Sequence, residues 1–307
     1  MYLEPRVASR LSVIPEPIAL LRKQIDAEII TADHPEFEVA RKTQDITFDV
    51  VPYAIVKVES AEDVAATVDF AREIGFPLTV RSGGHSLAGF GVADDAVVVD
   101  FSKMKQVSVD PASGIATVQA GATSGDIVAA AQPYGLALTT GDTASVGIGG
   151  LTTGGGIGFM VRKYGLTIDS LVSVQVVLAD GRIVTASKSE HPRLFWAIRG
   201  GGGNFGIVTE FTFQLEQVGL VLGGDIVLPA TRAVVRGYLD YVTNAPEELT
   251  TIAHIMHAPP APYIPEERVG EVVLQILTVW TGSPEDGEHA LAPLRALGTP
   301  VADTIHP

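Results

Sequence analysis

The chain has 307 residues, 46% of them hydrophobic and 19% charged, with a formal net charge of −15 at pH 7. That acidic balance, with no cluster of lysine and arginine anywhere, excludes a nucleic-acid-binding surface, which needs a concentrated basic face. The absence of cysteine excludes disulfides, thiolate metal sites and thiol catalysis.

The N-terminal stretch from Met1 to Ile30 is broken by prolines and charges and reads as neither a secretory signal nor a membrane span. The expectation is a cytoplasmic protein without membrane association. A first helix is predicted over about Pro17 to Ile29, then a strand in Val51–Ser60. Ser60 and Asp63 form a capping-box pattern for a helix over Ala61–Gly75, which Gly75 closes. Phe76–Leu87 reads as strand and loop, Ala96–Phe101, Gln106–Asp110 and Gly114–Gly121 as strands, and Ser124–Gly135 as a short helix. Thr139–Gly158 is the glycine-richest part, and its Val146, Ile148 and Ile157 disfavour a flexible linker, which would be polar. Asp180-Gly181 between two β-rich runs predicts a hairpin over Leu171–Ser187. A helix over His191–Gly200 and an alternating strand over Phe205–Leu215 follow. Near Gln217 the glycine motifs cease. Strand, helix, strand, strand and helix then follow, over Gly219–Leu228, Arg232–Val242, Thr250–Ala258, Gly270–Trp280 and Pro284–Leu297. That order suggests a second domain, a sheet with helices on one face, and the last residues offer no closing strand.

Several short motifs fail on context. Gly84-His85-Ser86-Leu87-Ala88 approximates a nucleophile elbow, but a strand rather than a helix is expected after it. Gly201 to Gly206 satisfies Gly-x-Gly-x-x-Gly, but between a helix and a strand, the reverse of the dinucleotide-binding order. His254 and His257 lie three apart on a predicted strand and so face opposite ways, one buried and one exposed, which spoils a shared metal. No metal site is expected. What remains is three separated glycine-rich segments, with a histidine, His85, inside the first. The amides around Ser82-Gly83-Gly84 can form an anion nest, with Arg81 adding positive charge. Such loops suit a long, bent cofactor with a diphosphate.

The stretches RSGGHSLAGFG, GDTASVGIGGLTTGGGIGFMVRKYGLTIDSL, VVLADGRIV and LFWAIRGGGGNFGIVTEFTFQL, in collinear order, resemble the vanillyl-alcohol oxidase superfamily of flavoproteins. Within it the berberine-bridge-enzyme branch is the most similar, and the likeness covers roughly Ser60 to Leu215. The resemblance implies an α+β fold, with a two-subdomain FAD-binding domain of the p-cresol methylhydroxylase type over residues 1–217. A partial substrate domain with an antiparallel sheet and helices on one face follows over 218–307. It implies FAD joined through an 8α-histidyl bond to His85. Thr143 stands where many relatives carry a second, cysteinyl tether, so the attachment is expected to be monocovalent.

By the same resemblance Ser82, Gly83, Gly84 and Ser86 hold the diphosphate, and Val146 sits where a side chain controls oxygen access, valine being permissive. Gly141, Gly147, Gly150, Gly154 and Gly158 let backbone approach the flavin, and Ile207 meets the adenine end. The implied function is an oxidase. It takes hydride from a small-molecule alcohol, amine or sugar to flavin N5 and reduces O2 to H2O2; a dehydrogenase or an inactive truncated FAD-binding protein are the alternatives. Tyr238, Tyr263 and His254 are candidate substrate-wall residues, with core packing the plainer role for each. Relatives usually run well past this length, so a truncated chain is expected. The catalytic base, the substrate and the oligomeric state are not legible.

Overall fold

The computed structural model describes residues 17–45 and 47–307. The leading part of the Met1–Ile30 segment, read as neither signal nor span, lies outside the described residues. Among them, no helix is long and apolar enough to cross a membrane. The described residues divide into two compact units, one comprising 17–45, 47–134, 143–156 and 167–215, the other 135–142, 157–166 and 216–307.

The first unit holds two sheets. One has four strands in the order Glu28–Ile30, Ala54–Lys57, Val97–Asp100, Leu78–Arg81; the last three run parallel and the first is antiparallel to its neighbour. Its central strand, Val97-Val98-Val99-Asp100, is buried throughout, as a parallel strand covered on both faces must be. Ala61–Ile74 presents Val64, Val68, Ala71 and Ile74 as a buried stripe at helical spacing. Ser60 accepts from the Asp63 amide and Asp63 accepts from the Ser60 amide, closing the box, and Gly75 ends the helix at φ 74°. The second sheet is antiparallel, in the order Val107–Asp110, Ile115–Gln119, Ile207–Gln214, Leu171–Val177, Ile183–Ser187. Its hairpin turns at Asp180-Gly181, with Gly181 at φ 81°.

Two local readings change. The first helix stops at Leu21, and Glu28–Ile30 is a strand paired with Ile55–Lys57. Ile29 and Ile30 are buried by that pairing, and tertiary burial overrides the weak helical pattern. Within the glycine-rich segment, Ile148–Thr153 forms a short helix, with Ile148 and Thr152 buried.

In the second unit, strands Leu249–His257, Val272–Trp280, Leu222–Pro229 and Ala302–Asp303 form an antiparallel sheet in that order. The C-terminal residues therefore do supply an edge strand, through Val227–Ala302 and Ile226–Asp303 pairs. Helices Arg232–Val242 and Pro284–Arg295 bring Val234, Tyr238, Leu291 and Leu294 against Leu222, Ile226, Ile276 and Trp280. Segments 135–142 and 157–166 join this unit by specific bonds. Leu136–Ala137 pairs with Glu216–Gln217. The Arg162 guanidinium donates to the carbonyls of Ala245, Pro246 and Leu249, and Lys163 donates to Thr281 O.

Candidate functional site

Strand Leu78–Arg81 ends beside Asp100, its register partner on the neighbouring parallel strand. Both side chains are buried, and Arg81 Nε and Nη2 each lie 2.6 Å from Asp100 Oδ2. Arg81 Nη1 donates to Lys42 O at 3.3 Å. The guanidinium is thus neutralised by a carboxylate, and the anion-holding capacity of the loop rests on its backbone. Among the described residues, the amides of Gly83, Gly84, His85 and Ser86 find no acceptor. Gly84, at φ 72°, turns the chain in the left-handed conformation from which such amide nests are built. These residues are only half-buried, but a run of adjacent amides without acceptors at a cavity wall suits an anionic ligand.

That wall belongs to a cavity of about 720 Å³ within the first unit, inside the range of about 300–1,000 Å³ usual for cofactor sites. Arg81, Ser82, Gly83, Gly84, His85 and Ser86 line it from one loop, Val146, Gly147, Gly150 and Gly154 from a second, and Ile207 from a third. The first two loops are in backbone contact: a Cβ on Gly83 would stand 2.4 Å from Gly147 N, and one on Gly147 2.2 Å from Gly83 N. Ser82 Oγ donates to Ala120 O at 2.6 Å, tying the loop to the residue that follows strand Ile115–Gln119 of the second sheet. Ser86 Oγ accepts from the Phe90 amide at 3.2 Å, and no helix follows it, so the elbow geometry is absent. His85 is half-buried, and its Nε2 lies 3.0 Å from Ser145 Oγ.

Gly141, Thr143 and Gly158 do not line the cavity. Gly141 and Gly158 belong to the second unit, where a Cβ on Gly158 would strike Thr140 O, so close packing within that unit already requires this glycine. Thr143 is exposed, its carbonyl accepting from the Val146 amide. Tyr238 is buried, with its hydroxyl 2.8 Å from Thr251 Oγ1, and takes the packing role. His254 and His257 are both exposed, rather than one inside and one outside; His257 Nδ1 lies 2.9 Å from Gly270 O.

Sequence reasoning missed several lining residues. Gly200, Gly201, Gly202, Gly203 and Gly206 all border the cavity, as do Phe90 and Thr153. The positive φ values of Gly200, Gly202 and Gly206 (104°, 60° and 144°) explain the run. The run's glycine density marks the segment in the sequence, but not which of its residues border a ligand.

The residues present fit FAD: a cavity of cofactor size, a run of amides for a diphosphate, and glycine walls where a planar ring can lie close. Gly150 and Gly203 have nothing within 4 Å of where a Cβ would be. Residues 52–187 match the family model described as an FAD binding domain. (R)-6-hydroxynicotine oxidase of Paenarthrobacter nicotinovorans is 33% identical over 282 residues, covering 92% of this chain and 60% of that protein. The crystal structure of 6-hydroxy-D-nicotine oxidase from Arthrobacter nicotinovorans superposes with a TM-score of 0.84 at 32% identity, over 92% of this chain and 61% of that one. A glucooligosaccharide oxidase structure from Acremonium strictum, described with a 6-S-cysteinyl, 8α-N1-histidyl FAD, superposes at 0.80 with 30% identity, over 92% of this chain and 58% of that one. The chain spans about 60% of the length of these relatives. Residues 52–187 are thus an FAD binding domain, and the chain's homologues and structural neighbours include FAD-linked oxidases.

Proposed function

We propose that the protein is an FAD-dependent oxidase acting on a small-molecule alcohol, amine or sugar, with its flavin bonded once, through the 8α carbon, to His85. The observation that carries this is His85 itself: it lines the cavity within a run of four amides, its own included, that have no acceptor among the described residues. Bound FAD would supply the redox chemistry, accepting hydride at N5 and passing electrons to dioxygen. The chain's own residues do the rest. Gly83, Gly84, His85 and Ser86 donate amide hydrogens to the diphosphate, Gly147, Gly150 and Gly154 let backbone approach the ring, and Ile207 offers main chain to the adenine end. Val146 leaves room for dioxygen. Thr143 in place of a second tether supports attachment at a single point. Residues 1–217 would form the FAD-binding part and 218–307 a substrate-binding part. A cytoplasmic location belongs to the same proposal, with cell fractionation as its check.

Acid precipitation of the purified protein tests the attachment. Yellow colour should stay in the pellet of the wild type and leave with the supernatant in His85→Ala; colour lost from both rejects the covalent bond. Stopped-flow mixing of reduced protein with dissolved oxygen tests the oxidase assignment. Val146→Leu should slow reoxidation at least severalfold, and slow reoxidation of the wild type would favour a dehydrogenase.

A further inference from the structure

The hydroxyl of Ser145 is 3.0 Å from Nε2 of His85 and has no other partner among the described residues. Ser145 is exposed, so burial does not demand that bond. Yet its backbone is held firmly. The flanking carbonyls of Ala144 and Val146 accept from the amides of Gly125 and Ser124, at 2.8 and 2.9 Å, at the start of helix Ser124–Ala131. The Ser145 carbonyl would lie 3.0 Å from a Cβ on Gly83, two residues before the histidine. A fixed segment therefore presents one hydroxyl to one ring nitrogen, the arrangement by which a supporting residue orients a reactive side chain.

We propose that Ser145 is the positioning residue for flavin attachment, holding Nε2 of His85 so that Nδ1 is the nitrogen that bonds. This rests on the covalent reading above. A neutral imidazole carries its proton on one nitrogen and its lone pair on the other. When Ser145 Oγ accepts from Nε2–H, the lone pair is on Nδ1, ready to attack carbon. Attachment forms an Nδ1–C bond and breaks one C–H bond of the 8α methyl group, and the imidazole gives up its Nε2 proton. Dioxygen, the oxidant, takes the two protons and two electrons released and leaves as hydrogen peroxide. The alkylated ring then has a bare Nε2. A serine hydroxyl both accepts and donates, so Ser145 rotates and donates to the nitrogen it previously accepted from. Its exposure gives the departing proton a route to water.

The test adds FAD to flavin-free full-length protein and follows the covalent fraction by intact mass spectrometry, in wild type, Ser145→Ala, Ser145→Thr and His85→Ala. Noncovalent affinity is read in parallel from flavin fluorescence, in the His85→Ala background with and without Ser145→Ala. Ser145→Ala should attach flavin about fivefold more slowly, the rate equivalent of one ordinary hydrogen bond, with affinity within about twofold. Ser145→Thr, which keeps the hydroxyl, should restore the rate. NMR of the flavin peptide should show Nδ1 linkage in the wild type and a mixture of Nδ1 and Nε2 in Ser145→Ala. Equal rates in wild type and Ser145→Ala overturn the role of Ser145 while leaving the covalent bond intact. So does a loss of affinity that accounts for the whole slowing. A wild type with no covalent flavin overturns the covalent reading, and this inference with it.

Discussion

Two glycine-to-alanine substitutions at the same cavity should separate folding from cofactor binding. At Gly83 the new methyl would stand 2.4 Å from Gly147 N, 2.9 Å from Gly147 Cα and 3.0 Å from Ser145 O, all backbone atoms. None can swing aside, so the loops must part by about 1 Å to reach ordinary contact, and overpacking of this kind costs about 1–3 kcal/mol. At Gly150 the methyl meets nothing within 4 Å, although the residue lines the cavity. Gly150 lies inside helix Ile148–Thr153, where alanine is favoured over glycine by roughly 0.5–1 kcal/mol. The flavin-free Gly83→Ala protein should therefore melt lower, by about 2–4 °C for each kcal/mol lost, and Gly150→Ala should melt unchanged or slightly higher. Bound FAD reverses the ease of Gly150→Ala. A methyl in space the cofactor needs should lower affinity roughly tenfold. Thermal melts of flavin-free protein and fluorescence titration with FAD, both in the His85→Ala background to keep binding reversible, read the two quantities. A Gly150→Ala variant that binds FAD as the parent does would show that the cofactor does not lie against this wall. A Gly83→Ala variant of parental stability would refute the loop contact.

Asp100→Asn should leave the buried Arg81 guanidinium without a countercharge, costing about 3–5 kcal/mol, and Arg81→Met combined with Asp100→Leu should recover most of it; urea melts that show additive losses would refute the coupling. Near the chain's start, Arg41 hydrogen-bonds Glu38 and Asp49. Glu38 is held below the usual carboxylate range by the bond from Arg41, and Asp49 by bonds from Lys42 and then Arg41. Depressed carboxylates add stability above their unfolded-state pKa of about 4 and lose it as pH falls through the folded value. The stability gap between wild type and Arg41→Ala should therefore narrow between pH 5 and about pH 3; a gap constant with pH would count against the ion pairs.

What was legible in the sequence was local chemistry. Ser60 with Asp63, Gly75, and Asp180-Gly181 each determine a cap or turn within a few residues, and the structure has them where the pattern puts them. The loop around His85 reads from the sequence as an anion cradle for the same reason, and among the described residues the structure has a run of its amides without acceptors. Arg81 was legible as a cation but not as a neutralised one, because Asp100 approaches it only through the parallel register of two strands separated by a loop. Segment 157–166 was assigned with its sequence neighbours. Its place in the other unit depends on Arg162 finding three carbonyls between Ala245 and Leu249, a pairing with no local signature. Ser145 was invisible as a functional residue, since only the folded loops bring its hydroxyl to His85.

The Arg81–Asp100 pair has a consequence for how the cofactor is recognised. The chain carries a formal charge of −15, and the diphosphate it is proposed to hold is itself anionic. A site that recruited it through a free arginine would gain long-range attraction, and salt would weaken that attraction over a Debye length of about 10 Å at 0.1 M. With the guanidinium already paired, the attraction left is that of amide dipoles at hydrogen-bond range, which salt screens little. FAD affinity, measured in His85→Ala so that binding stays reversible, should change by less than about threefold between 0.05 and 0.5 M sodium chloride. Any trend should be toward tighter binding as the protein's own negative field is screened. A fall in affinity of more than about tenfold over that range would mean that Arg81 leaves Asp100 to meet the phosphates.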